Sequence, residues 1–444
     1  MRDENIRRAL PNAAAAATAL LILLAGAFPA RAQVSRIQQS EQILQPSGDT
    51  VEHDSFGSAV AMTGSTMVIG ALNADGNEVG AGAAFIFDRM GASWVQTARL
   101  FADDGRAEPV PGFPGDFRSD SFGSTVAIDG DTVVVGAPGH NHTGRISNVG
   151  AVYVFQRMHG MWVQQAELSS PTPNSQDEFG AGGGFGGIGI SGDTIVVTDQ
   201  GRLFSLPGAV DVFTRTNGSW VLTAQLTVPD DFFFLPSSVA IDGNTVVVGS
   251  SQSDAPAAFD AGAAYVFRFS GGQWSAPVTV AAADATFGAQ FGSSVSLRNN
   301  VIAVGAITAP GTTSQAGAAY VFAGEDGVWS QQAKLAAVDG QDFDNFGFSI
   351  AVSGQTVLVG ANRHTPSVTG ALGAGAAYVF RQSDSQWQPV AELFASDAIL
   401  GGGDYGTSVA VLNNTVLVGA DLQHPLVEGY PGGEAYVYSL NPQQ

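Results

Sequence analysis

Residues 120–138 read DSFGSTVAIDGDTVVVGAP and residues 150–168 read GAVYVFQRMHGMWVQQAEL; together they contain one complete structural unit. The run Thr132–Val135 is rich in β-branched residues, and Tyr153 and Phe155 alternate with Val152 and Val154, a period of two that belongs to strands. Gly130-Asp131 separates two such runs and predicts a tight hairpin turn that needs positive φ. The unit is therefore four short antiparallel strands: one starting near Phe122-Gly123, then 132–137, 151–157 and 162–168.

The same unit recurs along the chain. The turn before the second strand falls at Gly64, Gly130, Gly192, Gly243, Asn299, Gly354 and Asn413, at spacings of 66, 62, 51, 56, 55 and 59 residues. The third strand follows Gly82, Gly150, Gly208, Gly262, Gly317, Gly375 and Gly433, and the six tryptophans of the chain mark the fourth strand at 94, 162, 220, 274, 329 and 387. A twisted four-stranded sheet buries both faces only against its neighbours, so seven such units predict an all-β, seven-bladed propeller in preference to a string of β-sandwiches. The seventh unit stops after its third strand, whereas Ile37–Gln45 (IQQSEQILQ) looks like a fourth strand with no blade of its own. We expect this segment to complete the last blade and close the ring, which removes the open sheet edges.

Composition narrows the function. The 444 residues include 57 Gly and no Cys, which excludes disulfides, thiolate metal sites and a cysteine nucleophile. Forty acidic against 18 basic side chains give a net charge of −22, so nucleic acid and anionic lipid surfaces are repelled. Residues 1–32 carry Arg2, Arg7 and Arg8, an apolar stretch over 13–28, and Ala30-Arg31-Ala32, the pattern of a secretory signal cleaved after Ala32. Residues 33–444 are then a single propeller domain. With no second apolar span, the product is expected to be secreted, in an extracellular, periplasmic or cell-surface location.

Phe-Gly recurs at 56, 122, 291 and 346, with Tyr405-Gly406 as a variant; Gly-Ala recurs at 70, 136, 305, 360 and 419, and Gly136-Ala137-Pro138 is the one full Gly-Ala-Pro. At these residues the chain resembles the FG-GAP repeat family, the β-propeller repeat also found in the integrin α-subunit head, over nearly all of the mature sequence. Units three and four depart from the pattern, with Gly184 and Leu235 at the Phe position and Thr198-Asp199 in place of Gly-Ala. The resemblance implies an Asp-rich calcium loop, but here that connection shrinks to turns such as Asp129-Gly130-Asp131, which cannot supply the six to eight oxygens calcium takes. Integrin-type calcium sites are thus not carried over, and no cofactor is expected, with calcium held elsewhere as the alternative. The short turns are similar to those of the bacterial, secreted or surface-exposed subgroup.

The connections from strand two to three and from strand four to the next blade emerge on one face, where functional residues are to be sought. Asp54, Asp120 and Asp344 lie two residues before the Phe of each Phe-Gly, and Asp404 precedes Tyr405; their fixed repeat position predicts a turn-bonding role, with a ring of carboxylates for cations as the alternative. His53, His140, His142, His364 and His424 fall in the same-face loops. Adjacency of blades six, seven, one and two would let them approach one another as a transition-metal site; the alternative is solvated loop side chains. Phe232, Phe233 and Phe234 predict a core plug or a partner patch. The periodic tryptophans read as inter-blade packing rather than a sugar-stacking row. No nucleophile elbow or local catalytic set is present. The favoured function is a non-catalytic adhesion or scaffold module that binds a protein or glycan; a polysaccharide hydrolase or lyase with acids from several blades, or a structural envelope protein, are the alternatives.

Overall fold

The computed structural model describes residues 39–44 and 54–440 apart from 79, 110–116, 142–147, 174–176, 182–185, 201–207, 229–234, 255–257, 326, 368–369, 396–402 and 422–431. The signal-like segment 1–32 lies outside the described residues. Seven antiparallel sheets follow in chain order: blade 1 over 56–100, blade 2 over 125–168, blade 3 over 188–226, blade 4 over 238–280, blade 5 over 291–335, blade 6 over 346–393, and blade 7 over 405–439. Among the described residues there is no helix, and hence none long and apolar enough to cross a membrane.

The ring closes as the chain ends imply. Gln39–Leu44 pairs antiparallel with Glu434–Ser439 and supplies the fourth strand of blade 7. Its Ile43 is buried with Leu417, Ala435 and Val437 of blade 7 against Phe56, Ile69 and Phe85 of blade 1. Every core is of this inter-blade kind: Tyr153 and Phe155 of blade 2 pack towards blade 1, whereas Val152 and Val154 pack towards blade 3, so strand alternation divides each blade between two cores. The tryptophans sit at the edges of these cores, Trp162 against that of blades 1 and 2 and Trp387 within that of blades 5 and 6.

Glycine marks the places where blades touch. Phe346 lies in a single parallel bridge with Gly317 of the preceding blade. Gly317 has φ +89°, and a Cβ on it would strike the Phe346 backbone. Gly305 packs directly under the Gly347 carbonyl. That carbonyl accepts a hydrogen bond from Ser294 Oγ at 2.8 Å, and the same latch recurs round the axis: Ser58 to Gly123, Thr125 to Gly180, Ser238 to Gly292, Ser349 to Gly406, and Ser408 to Gly57 across the closure. First strands of all seven blades line a narrow axial channel of about 180 Å³.

Two departures follow from local chemistry. The fourth strand of blade 4 splits into Gln273–Trp274 and Val278–Val280, because Pro277 brings no N–H to the ladder. In blade 3 the usual third-strand aromatic is Asp211, and the first strand shortens to Ile188–Ser191.

Candidate functional site

The two faces of the ring differ. On one, strands meet in two-residue turns such as Gly130-Asp131 and Gly354-Gln355; on the other run the long connections 72–82, 138–150, 307–317 and 362–375, and the hairpin Ala107–Pro109 with Phe117–Ser119. Blades 2 and 6 each carry a buried histidine beneath this second face.

In blade 6, His364 follows the second strand Thr356–Ala361 by three residues and is 1% exposed. Its Nδ1 lies 2.6 Å from Asp344 Oδ2, and the same carboxylate oxygen accepts the Gln341 N–H at 2.7 Å. On the far side of the ring, Nε2 lies 3.6 Å from Asp339 Oδ2 and 3.8 Å from Glu392 Oε1, and makes no hydrogen bond. Tyr378, on the third strand, donates its hydroxyl to Asp339 Oδ1 at 3.0 Å and packs edge-on against the imidazole. Asp339 comes from the connection out of blade 5, Glu392 from the fourth strand of blade 6. Burial alone would lower the His364 pKa, but the close carboxylates of Asp339 and Asp344, the latter hydrogen-bonded to Nδ1, outweigh it and raise it to about 9. In turn the imidazole holds Asp339 below the usual carboxylate range, and burial among these acids keeps Tyr378 protonated.

Blade 2 repeats the arrangement. His140, 4% exposed, follows Thr132–Ala137 by three residues. Its Nδ1 is 3.1 Å from Asp120 Oδ2, which also accepts the Arg106 N–H at 2.8 Å. Nε2 is 3.8 Å from Asp104 Oδ2 and 3.9 Å from Glu167 Oε1, and Tyr153 donates to Asp104 Oδ1 at 2.9 Å. The His140 pKa is raised as well: burial opposes, and Asp120, Asp104 and Glu167 together prevail. In both blades the imidazole nitrogen and the two carboxylates present oxygen or nitrogen atoms within 4.8 Å of one another, a group that can hold a metal ion.

Among the described residues the other blades lack the set. Blade 5 has Ala309 and Ala289 at the histidine and turn-aspartate positions, and pairs Asp284 with Lys334 at 2.5 Å beside Tyr320. Burial in blade 3 raises the Asp211 carboxyl to about 7, with Gln225 as its hydrogen-bond partner and Asp199 adding to the rise. In blade 7, Asp404 is raised by burial, partly offset by Arg363, and Asp421 reaches about 7 through burial and the charge of Asp404.

The structure places the four turn carboxylates at three kinds of position. Asp120 and Asp344 each bond a backbone N–H and a histidine, Asp54 is fully buried in blade 1, where Ala74 takes the histidine place, and Asp404 itself occupies the left-handed residue before Tyr405, at φ +45°. Ser55, Ser121 and Asn345 hold that left-handed place before Phe in the other three units. His140 and His364 do not converge on each other; each sits in its own blade with its own acids. His53, His142, His424 and Phe232, Phe233 and Phe234 lie outside the described residues. Asp104, Glu167, Asp339 and Glu392 escaped the sequence reading. A signal existed for them: Glu directly before the fourth-strand leucine occurs at Glu167-Leu168 and Glu392-Leu393, in the same two blades whose Gly-Ala is followed three residues later by His.

The FG-GAP repeat profile matches residues 39–87, 114–155, 220–267, 274–322, 329–380 and 387–438. The first match begins on the strand that closes the ring, and the unmatched interval between 155 and 220 contains the first three strands of drifted blade 3. No curated protein matches the chain.

Proposed function

The chain belongs to the FG-GAP repeat family, and from that premise we propose that it is a secreted, non-catalytic propeller, akin to the integrin head and to the bacterial secreted subgroup, that captures a protein or glycan on its loop-rich face. Family and fold support a binding or scaffold role in general. The finer reading rests on one observation: large apolar side chains stand exposed in the connections of adjoining blades on that face, Phe259 and Phe287 of blade 4, Phe343 before blade 6 and Leu372 within it, each at least 62% exposed. Exposed aromatics flanked by polar loops are the usual anchors of both protein and sugar recognition. Phe343 also adopts φ +70°, a conformation that costs a bulky L residue about 1 kcal/mol or more and is concentrated at functional positions. Export through the signal-like segment 1–32 fits this role; mass spectrometry of protein from the culture medium should find Gln33 as the first residue.

Arrays of glycans and of extracellular proteins, probed with the mature chain, test the reading. The double variant Phe287→Ser/Phe343→Ser should lose capture while melting like the wild type. Capture that persists in this variant, but fails when the two-residue turns of the opposite face are altered, would place the ligand on the wrong side for this proposal. Turnover of polysaccharides in the same screen would favour the hydrolase or lyase alternative.

A further inference from the structure

We propose that blades 2 and 6 each bind one divalent transition-metal ion of the zinc class, ligated by His140 Nε2, Asp104 and Glu167 in one and by His364 Nε2, Asp339 and Glu392 in the other. This goes beyond the ligand-capture reading and does not depend on it.

Geometry carries the argument first. Donor atoms around a tetrahedral ion bonded at about 2.0–2.2 Å stand about 3.4 Å apart. His364 Nε2 lies 3.6 and 3.8 Å from its two carboxylate oxygens, too long for hydrogen bonds and within a few tenths of an ångström of the spacing a shared ion imposes. Nε2 is buried, unbonded and directed between those two carboxylates. The opposite nitrogen is committed to Asp344, the outer carboxylate that orients a metal-bound imidazole, while Tyr378 occupies the second oxygen of Asp339 and turns the first one inward. Blade 2 repeats the Asp120 contact on Nδ1 and the Tyr153 bond on Asp104, with Nε2 3.8 and 3.9 Å from Asp104 and Glu167.

Charge is the second argument. Blade 5 shows what the repeat needs for structure alone: one carboxylate, Asp284, neutralised by one ammonium, Lys334. Blade 6 gathers Asp339, Asp344 and Glu392 round one imidazole, so within this group the carboxylates exceed even a protonated histidine by two charges. A divalent ion that replaces the Nε2 proton, which departs to solvent, reduces that excess by one. One nitrogen and two carboxylates suit zinc and its neighbours; calcium, which takes six to eight oxygens, is not served. The acids of blade 2 are the more accessible, Asp104 at 45% and Glu167 at 33% against 23% and 16% in blade 6, so the ion has a path from solvent and blade 6 should release it more slowly.

The test uses the full mature chain, stripped with a chelator and titrated with zinc by calorimetry and with cobalt(II) by visible absorbance. Two ions should bind per chain, with the intense absorbance of low-coordinate cobalt. Glu392→Lys, which copies Lys334 of blade 5, should fold and bind one. Asp344→Asn, which touches only the outer side of the imidazole, should retain both but weaken the blade 6 ion about 10–100-fold. No zinc bound, or two ions bound with unchanged affinity in a Glu167→Gln/Glu392→Gln variant that melts like the wild type, would overturn the proposal and leave the histidines as buried imidazolium cations.

Discussion

The axial seams and the pockets beneath the loop-rich face are built from the same repeat, yet they behave oppositely. At the seams, one solution is used again and again: glycine under a neighbour's carbonyl, a Ser or Thr hydroxyl latching that carbonyl, Phe or Tyr bridged to the preceding blade. In the pockets, the third-strand aromatic stays while its polar surroundings change from Asp and Lys in blade 5 to three carboxylates and a histidine in blades 2 and 6. Blade 3 departs in both regions, with Thr198 at the seam glycine and Asp211 at the aromatic. The lesson is that ring closure fixes the seams, because two blades must fit at each, whereas a pocket is covered by solvent-facing loops and is free to acquire chemistry.

The most severe way to break the seam side of this contrast is to remove residues 33–46. Blade 7 then loses Ile43 and its outer strand, and the cooperative melt of the whole ring, read by calorimetry, should collapse rather than shift. Gly305→Val comes next. Its Cβ would meet the Gly347 carbonyl, so we expect a loss of about 4 kcal/mol in denaturant unfolding, while Thr198→Val at the corresponding site of blade 3 should change stability by less than about 1 kcal/mol.

On the pocket side, Asp211 gives a signature in pH. Its folded carboxyl titrates at about 7, above the ordinary unfolded value, so between those two values the folded chain holds the extra proton. Stability therefore falls as pH rises through that window, by up to about 1.4 kcal/mol per unit from this group. Asp211→Asn should flatten that part of the profile and stabilise the protein at pH 8; Asp421 contributes with the same sign and remains. Among the latches the expected effect is small: Ser408→Ala removes one and should cost about 1 kcal/mol in chemical denaturation, much the same as Ser349→Ala at the next seam. Unequal costs at these two seams would show that the latches are not equivalent.

Fold was legible because it repeats. Phe-Gly, Gly-Ala and the tryptophan row recur in phase, and the missing last strand matched a spare segment at the other end of the chain. Pro277 carried the signal for the split strand of blade 4, but one proline in an edge strand does not by itself announce a break, since Pro389 is accommodated within Gln386–Leu393. The pockets were only half legible. His140, His364, Asp120 and Asp344 were singled out, but a fixed repeat position favoured turn bonding over a cation-binding ring for the aspartates, and the histidines read as solvated or as a site shared across blades. Their actual partners Asp104 and Asp339 come from the preceding blade's connection, and Glu167 and Glu392 from a fourth strand folded back beside them. Sequence periodicity orders the blades without giving the distances between such elements.

Everything on the loop-rich face depends on a ring shut by the amino-terminal strand, and native-state hydrogen exchange tests this most directly. If Gln39–Leu44 is the outer strand of blade 7, its ladder amides and those of Glu434–Ser439 will exchange with the same opening free energy and lose protection together in denaturant. Exchange of residues 39–44 at the rate of an unstructured chain, with 434–439 still protected, would contradict the closure.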